Sequence, residues 1–166
     1  MRSLFRVMVL AGGLLPGVAA AADRVAVFDP ELVDTSGEGR REDQQQRLAL
    51  LGEQLRQALA ASGRYEVVDT VPLRGRLAPG PALNTCPPCA PQAAAELGAD
   101  LALVTVVHKV SNLIISITLA VHEAAPSGAR RAVYSAEIRG NTDESWQRGM
   151  RWLLRNRLLA APEPSR

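Results

Sequence analysis

The sequence predicts an α/β (α+β) domain built on a mixed sheet of about five strands, with helices packed on the sheet. Strand-like and helix-like segments alternate in the first half of the chain, which favours parallel strands joined by right-handed crossovers. Two long strand-like runs then follow each other across a tight turn, which favours antiparallel pairing. A closing amphipathic helix completes the predicted order β-α-β-α-β-β-β-α.

The first half of the domain alternates regular elements with two loops. Its predicted elements are a strand at Arg24–Phe28, a helix from Asp43 that ends at Ser62-Gly63, a strand at Tyr65–Val68 and a helix from Pro91 to Leu97. The helix that begins at Asp43 is indicated by leucines at helical spacing. Residues 31–42 are polar and predict a loop, and residues 72–91 contain six prolines, which excludes regular structure over that whole length.

The two long runs, Leu101–Val110 and Leu113–His122, predict a β-hairpin. If the intervening Ser111-Asn112 forms the turn, Val110 faces Leu113 and the register is fixed. One face of the hairpin is then apolar. The other face is half-polar, either solvated or a docking surface, and consists of Leu103, Thr105, Val107 and Lys109 opposite Ile114, Ser116, Thr118 and Ala120. A slip of one residue would exchange the two faces.

The end of the domain is predicted as a fifth strand and a last helix. The strand spans Arg131–Ile138, after a turn at Pro126-Ser127-Gly128. Asn141 is expected to cap the helix, with Glu144 at the reciprocal position of a capping box. The expected apolar face of this helix consists of Trp146, Met150, Leu153, Leu154 and Leu158.

Residues 1–22 have the pattern of a secretory signal peptide, which predicts a periplasmic protein. Arg2 and Arg6 precede an apolar run that is too short to span a bilayer, and Ala20-Ala21-Ala22 offers a cleavage site. Cleavage would leave one domain at 23–161 and a frayed tail at 162–166, with no transmembrane segment. The exported chain then has 17 Lys plus Arg against 17 Asp plus Glu. This neutral balance argues against nucleic acid as a partner.

Three stretches, 28–36, 108–114 and 138–146, resemble an uncharacterised family of secreted bacterial proteins. The resemblance covers nearly the whole exported chain. It implies a compartment and a fold but no reaction, and an association with genes of pyrroloquinoline-quinone-dependent alcohol oxidation. The element order is similar to the periplasmic α/β domain at the start of TolB and in lipoproteins of curli secretion and peptidoglycan-synthase activation. Those domains are interaction modules, which implies a protein partner in the envelope.

Cys86-Pro87-Pro88-Cys89 is the sharpest local motif. A C-x-x-C at the start of a helix is typical of thiol-disulfide oxidoreductases, because the helix N-terminus lowers the pKa of the first thiol. Here the motif lies in a proline-rich loop rather than directly after a strand. These are also the only cysteines of a chain bound for an oxidising compartment. A structural disulfide that closes the loop is therefore the favoured interpretation, and redox catalysis is the alternative.

No metal site and no cofactor is predicted. Metal binding needs three or four converging ligands. In the predicted hairpin register, His108 and His122 face opposite sides and lie more than about 20 Å apart. They cannot share an ion, and His108 is expected to be a packing residue at the rim of the apolar face.

The candidate interaction surface combines three regions: the acidic loop after the first strand, the C-x-x-C loop, and the last helix with the residues before it. Arg148, Arg151 and Arg155 form a basic stripe on that helix, whose alternative interpretation is a solvated face. For the acidic loop, the favoured interpretation is a solvated loop whose side chains bond the local backbone. The candidate residues are Asp29, Glu31, Asp34, Arg139, Asn141, Asp143, Glu144, Arg148, Arg151 and Arg155.

The sequence thus predicts a non-enzymatic periplasmic interaction or ligand-binding module whose partner is another periplasmic or envelope protein. Two alternatives stay open. One is an accessory factor for a quinoprotein alcohol oxidation system, which depends on the gene association. The other is a thiol-disulfide oxidoreductase that uses Cys86 and Cys89.

Overall fold

The computed structural model describes residues 21–160, except residues 40 and 78. The predicted signal peptide at 1–22 lies almost entirely outside the described residues and the predicted tail at 162–166 lies wholly outside them, so both stay predictions. Within the described part of the chain, no helix is both long and apolar enough to cross a membrane.

A mixed sheet of six strands forms the middle layer of the fold. The strands are β1 (Asp23–Val27), β2 (Glu31–Asp34), β3 (Tyr65–Val68), β4 (Leu101–Lys109), β5 (Ile114–Glu123) and β6 (Arg130–Arg139). Their order is β3-β1-β4-β5-β6, and β2 pairs with β4 beyond the end of β1. β1 is parallel to β3 and β4, whereas β4, β5 and β6 form an antiparallel meander. The predicted α/β class and its C-terminal meander are confirmed.

The sixth strand, β2, lies where the sequence predicted a loop. After Pro30 the chain pairs in parallel with the second half of β4, with Leu32 beside Val107. Pro30 has no N–H group, so it separates β2 from β1 although both run along β4. Leu32 packs against the apolar core. Because β2 has only two apolar residues between Glu31 and Asp34, its periodicity was too short to reveal it.

Four α-helices cover the described part of the sheet. They are α1 (Glu42–Ala61), α2 (Val71–Leu77), α3 (Cys89–Glu96) and α4 (Asp143–Leu153), and α4 continues into a π-helical turn at Leu154–Leu158. α1 and α4 pack on what we call the first face of the sheet, and α2 and α3 pack on the opposite, second face. α2 lies inside the proline-rich segment and was not predicted. Pro72 is tolerated there because it occupies the first turn, where no intrahelical N–H bond is needed.

The β4–β5 hairpin differs by one residue from the predicted register. Lys109 pairs with Ile115. The N–H of Val110 donates to the carbonyl of Ile114 at 3.1 Å, so three residues form the loop rather than two. The shift makes the face that contains Lys109, expected to be half-polar, the core-facing one. The predicted assignment of the hairpin faces was therefore wrong.

The same shift moves the two histidines. His108 and His122 both lie on the second face, rather than on opposite faces as predicted. Six strand positions still separate them by about 20 Å. The Nε2 atom of His108 lies 2.9 Å from the hydroxyl of Thr35, so His108 is not a packing residue of the apolar face. Among the described residues, no group of three or more His, Cys, Asp or Glu could hold a metal ion.

The last helix begins one residue later than predicted. Its N-cap is Thr142, whose hydroxyl accepts from the N–H of Ser145 at 3.2 Å, and the hydroxyl of Ser145 accepts from the N–H of Thr142 at 3.0 Å. The predicted cap by Asn141 and Glu144 was wrong. The apolar face of the helix is buried as predicted, with Trp146, Met150, Leu153, Leu154 and Leu158 in the core of the first face.

Candidate interaction surface

Two of the predicted acidic residues are bound within the chain at the carboxyl end of β1. Asp29 accepts hydrogen bonds from Arg56 and from Arg74. The carboxylate of Glu31 accepts two backbone N–H groups, at 2.6 and 2.9 Å, from the 3₁₀ turn Leu83–Thr85. These carboxylates hold α1, α2 and the following loop against the end of the strand.

Asp34 belongs to a cluster around the buried Lys109, the only lysine of the sequence. The side chain of Lys109 is fully buried, and its Nζ atom donates to Glu38 at 2.7 Å, to Ser36 at 3.1 Å and to Asp34 at 3.4 Å. We call these four residues the lysine cluster. It joins the segment after β2 to the end of β4.

The pKa values of the lysine cluster favour the charged forms. The hydrogen bond from the Ser36 hydroxyl is the largest effect that lowers the pKa of Asp34, and the charge of Lys109 lowers it further. The hydrogen bond from Lys109 is the largest effect that lowers the pKa of Glu38. Burial by itself lowers the pKa of Lys109, but hydrogen bonds and attraction from Glu38 and Asp34 outweigh burial and raise it. The cluster is therefore an ion network at neutral pH.

A chain of amides connects the lysine cluster to α4. The amide of Asn112 donates to Glu38 at 2.7 Å and accepts from Asn141 at 2.8 Å. The side-chain oxygen of Asn141 in turn accepts from the indole N–H of Trp146 at 3.1 Å and from Arg47 at 3.2 Å. Loops that are distant in sequence are thereby fixed at one end of the sheet.

The three stretches that carry the family resemblance meet at this end of the sheet. Stretch 28–36 supplies Asp34, stretch 108–114 supplies Lys109, and stretch 138–146 supplies the residues before α4. Asp143 also accepts from the guanidinium of α1 residue Arg47 at 2.7 Å. Their contacts position the junction between β6 and α4.

A groove with a volume of about 560 Å³ runs between β6 and α4. Its strand side is Ser135–Arg139, and its helix side is Arg148, Gly149 and Trp152. β6 is the last strand of the sheet, and no described residue pairs with its outer edge. Trp152 is 40% exposed, unlike the buried Trp146. We call this feature the β6–α4 groove.

The part of the chain that forms the β6–α4 groove is rich in arginine, and Arg139 and Arg148 line the groove. Residues 130–158 contain seven arginines and three acidic residues, whereas the rest of the sequence contains 12 Lys plus Arg and 14 Asp plus Glu. Arg148 pairs with Glu144 at 3.2 Å, as their helical spacing predicts. Five arginines of this stretch are exposed and form no ion pair with a described residue: Arg130, Arg139, Arg151, Arg155 and Arg157. This surface thus has cations without internal partners, unlike the acidic segment.

The predicted disulfide is present. Cys86 and Cys89 are bonded, with their Cα atoms 5.4 Å apart, and Cys89 is the first residue of α3. The loop that precedes them forms a wall of a second cavity, of about 570 Å³, at the carboxyl end of β1. The charged residues that line this cavity, Asp29, Glu31 and Arg74, are already paired with one another or with the backbone.

The predicted site residues therefore fall into separate groups. Arg139 and Arg148 lie at the β6–α4 groove, beside the junction residues Asn141, Asp143 and Glu144. Asp29, Glu31 and Asp34 lie elsewhere and are bonded within the chain. Sequence analysis assigned no role to Lys109 and placed Trp152 in no site. The signal that could have identified Lys109 is that it is a single lysine in a chain that otherwise uses arginine. The signal that could have identified Trp152 is an aromatic residue outside the apolar stripe of α4.

The fold of this small α/β domain is similar to that of solved lipoprotein structures. The C-terminal domain of LpoB from Escherichia coli matches it with a TM-score of 0.51 at 18% identity, over 75% of this chain and 87% of that chain. The same domain from Salmonella enterica gives a TM-score of 0.49 at 16% identity, over 74% and 86%. Lipoprotein GNA1162 from Neisseria meningitidis gives 0.44 at 15% identity, over 73% and 83%.

The family is defined by a sequence match. The chain belongs to the DUF3280 family, described as "Protein of unknown function (DUF2380)", whose model matches residues 23–158. Among curated proteins no sequence matches this chain. The predicted membership of a family without an assigned activity, with an LpoB-like fold, is confirmed.

Proposed function

We propose that this protein is a non-enzymatic interaction module of the bacterial periplasm that binds an acidic segment of an envelope protein along the β6–α4 groove. The observation that carries the proposal is the open edge of β6 beside Trp152 and Arg139, which forms no ion pair with a described residue. Exposed tryptophan and arginine are the residue types most enriched at the energetic centres of protein interfaces. The predicted signal peptide and the LpoB-like fold support the periplasmic location.

Charge supports the choice of an acidic partner. The arginines around the groove are at or near the surface, where their potential extends about one Debye length into solvent and steers an acidic partner. Arg139 has no carboxylate to neutralise it within the described residues, so a partner carboxylate would form a new charge-assisted bond rather than displace an internal one. The acidic segment at 29–38 lacks this property, because its carboxylates are already bonded.

Site-specific photo-crosslinking in the periplasm tests the proposal. A benzoylphenylalanine at position 152 replaces one aromatic side chain by another inside the groove, and the same group at the exposed Gln57 of α1 is the control. We expect one crosslinked envelope protein from position 152 and none from position 57. Arg139→Glu and Arg148→Glu should each abolish the crosslink, whereas Arg76→Glu, on the exposed surface of α2, should leave it unchanged. Equal crosslinking from both positions, or no response to charge reversal, would overturn the proposal.

Two alternative functions stay predictions with their own tests. An accessory role in quinoprotein alcohol oxidation predicts impaired growth on alcohols after gene deletion, and normal growth with normal dehydrogenase activity removes that hypothesis. A thiol-disulfide oxidoreductase predicts that the purified protein reduces insulin or refolds scrambled ribonuclease through Cys86 and Cys89.

A further inference from the structure

The outer edge of β6 presents regularly spaced backbone donors and acceptors. The register between β5 and β6 runs without a break from Ile114 beside Arg139 to Val121 beside Ala132. Just beyond β6, the N–H of Gly140 donates to the carbonyl of Leu113 at 3.4 Å. Because bonding directions alternate along an antiparallel strand, the even-numbered residues of β6 bond to β5. The odd-numbered residues direct their N–H and C=O groups outward: Val133, Ser135, Glu137 and Arg139.

The β6–α4 groove lies where an added strand would run. A strand that pairs with β6 would lie about 4.8 Å beyond it. The groove has a volume of about 560 Å³ along Ser135–Arg139, and Arg148 and Trp152 of α4 form its other side. Side chains that point toward the first face would contact Trp152, and those that point toward the second face would lie near Arg139. Backbone pairing and side-chain recognition can thus occur together.

The charges of β6 argue against a second copy of this chain as the occupant. In an antiparallel pair of two β6 strands centred on Ser135, where the outward-directed odd-numbered residues oppose each other, Arg131 of one copy would lie opposite Arg139 of the other. Like charges directly opposite each other destabilise a strand pair. Charged residues commonly prevent edge strands from pairing at random. The charged residues of β6 are mostly arginines, so they also favour pairing with a negatively charged strand.

We propose that β6 binds its partner by strand addition, in which an extended acidic segment pairs with the outward backbone groups of Val133–Arg139 and places an apolar side chain against Trp152. This inference rests on the proposed function and specifies its binding mode. It makes the partner an extended polypeptide rather than a folded acidic surface, because only an extended chain can reach the backbone of β6.

A set of synthetic peptides tests strand addition on the exported protein. The probe is a capped peptide of ten residues, the length of β6, that alternates glutamate with valine and has one central phenylalanine. Two analogues carry N-methyl groups on either the odd or the even residues, and so remove the donors of one edge at a time. A fourth peptide replaces glutamate by lysine. Binding is measured by fluorescence anisotropy, and amide hydrogen exchange is followed by NMR.

Strand addition predicts that the parent peptide binds, that one N-methylated analogue loses at least about tenfold in affinity, which is ~1.4 kcal/mol, and that the other analogue binds like the parent. The lysine peptide should not bind. The amides of Val133, Ser135, Glu137 and Arg139 should become protected from exchange. Equal affinity of the two methylated analogues, or no binding by the parent, would overturn strand addition. The proposed function would survive either result as long as the crosslink at position 152 persists, whereas loss of that crosslink would overturn the proposed function itself.

Discussion

The Nζ atom of Lys109 lies 2.7 Å from a carboxylate oxygen of Glu38, although 71 positions separate the two residues in the chain. This contact, with those to Asp34 and Ser36, closes the segment after β2 over the end of the hairpin. Its effect on stability depends on complete pairing, because a fully buried ammonium without a partner would be strongly unfavourable.

Removal of Lys109 should therefore destabilise the domain. Lys109→Met keeps a side chain of similar length but leaves the nearly buried Asp34 and the partly exposed Glu38 without their cation, and we expect the free energy of unfolding to fall by about 1–3 kcal/mol. Urea denaturation followed by tryptophan fluorescence measures it. A triple variant that adds Asp34→Asn and Glu38→Gln should recover part of the loss, because no uncompensated charge remains. Unchanged stability of Lys109→Met would show that the cluster does not stabilise the fold.

The contribution of the cluster should depend on pH in a defined direction. The lowered pKa values of Asp34 and Glu38 add stability above their unfolded values, about 3.9 and 4.3, and this stability is lost as the pH falls through the folded values. The raised pKa of Lys109 adds stability below about 10.4, which is lost as the pH rises through its folded value. The stability difference between the wild type and Lys109→Met should thus be constant from about pH 5 to 10 and shrink outside that range. A difference that changes around neutral pH would point to another titrating group.

The predicted hairpin register was wrong because it assumed a two-residue turn, whereas Leu113 also belongs to the loop, and the lysine cluster explains why the apolar pattern did not reveal the error. Counting apolar residues placed Lys109 on the solvated face, because periodicity treats every lysine as a surface residue. In the fold, Lys109 is buried since Asp34 and Glu38 reach it from a segment 71 to 75 residues earlier in the sequence. A pattern within one hairpin contains no information about such a partner, so it could not correct the assumed turn.

Strong local periodicity predicted most of the fold. The leucine stripe of α1 and the apolar stripe that includes Trp146 are both buried as expected. Elements defined by few residues were missed, as β2 and α2 show. The site was only partly visible, because the sequence indicated the arginine stripe but not that Arg148 would face an open strand edge. That relationship follows from the order of strands in the sheet, which is a tertiary property.

Gly149 should be required for the close approach of α4 to β6. A Cβ atom at this position would collide with the side chain of Ile138 and lie 3.4 Å from Ile117. We expect Gly149→Ala to lower stability by about 1–2 kcal/mol, because overpacking costs more than the helix propensity that alanine adds. Gly75→Ala in α2 is the matched control, since its Cβ would meet nothing within 4 Å and should be neutral or stabilising. Thermal unfolding compares the two, and an equal response would contradict the packing argument.

The disulfide between Cys86 and Cys89 should be a structural clip. The two residues are separated by three positions, so the bond closes a short loop and removes little entropy from the unfolded chain, about 2 kcal/mol in the chain-entropy model. The double variant Cys86→Ser, Cys89→Ser should lose about that much stability but retain peptide binding at the β6–α4 groove, because the bond adjoins α3 on the second face.

Thiol alkylation across a glutathione series then separates the clip from a redox centre. A bond that stays oxidised below about −300 mV behaves as a structural disulfide. A bond with a reduction potential of about −120 to −200 mV, the range of known thiol oxidants, would instead support the oxidoreductase hypothesis. In that case the same serine variant should lose an activity rather than only stability. The stability of the variant and the potential of the wild type are independent measurements, so agreement between them decides the role of the motif.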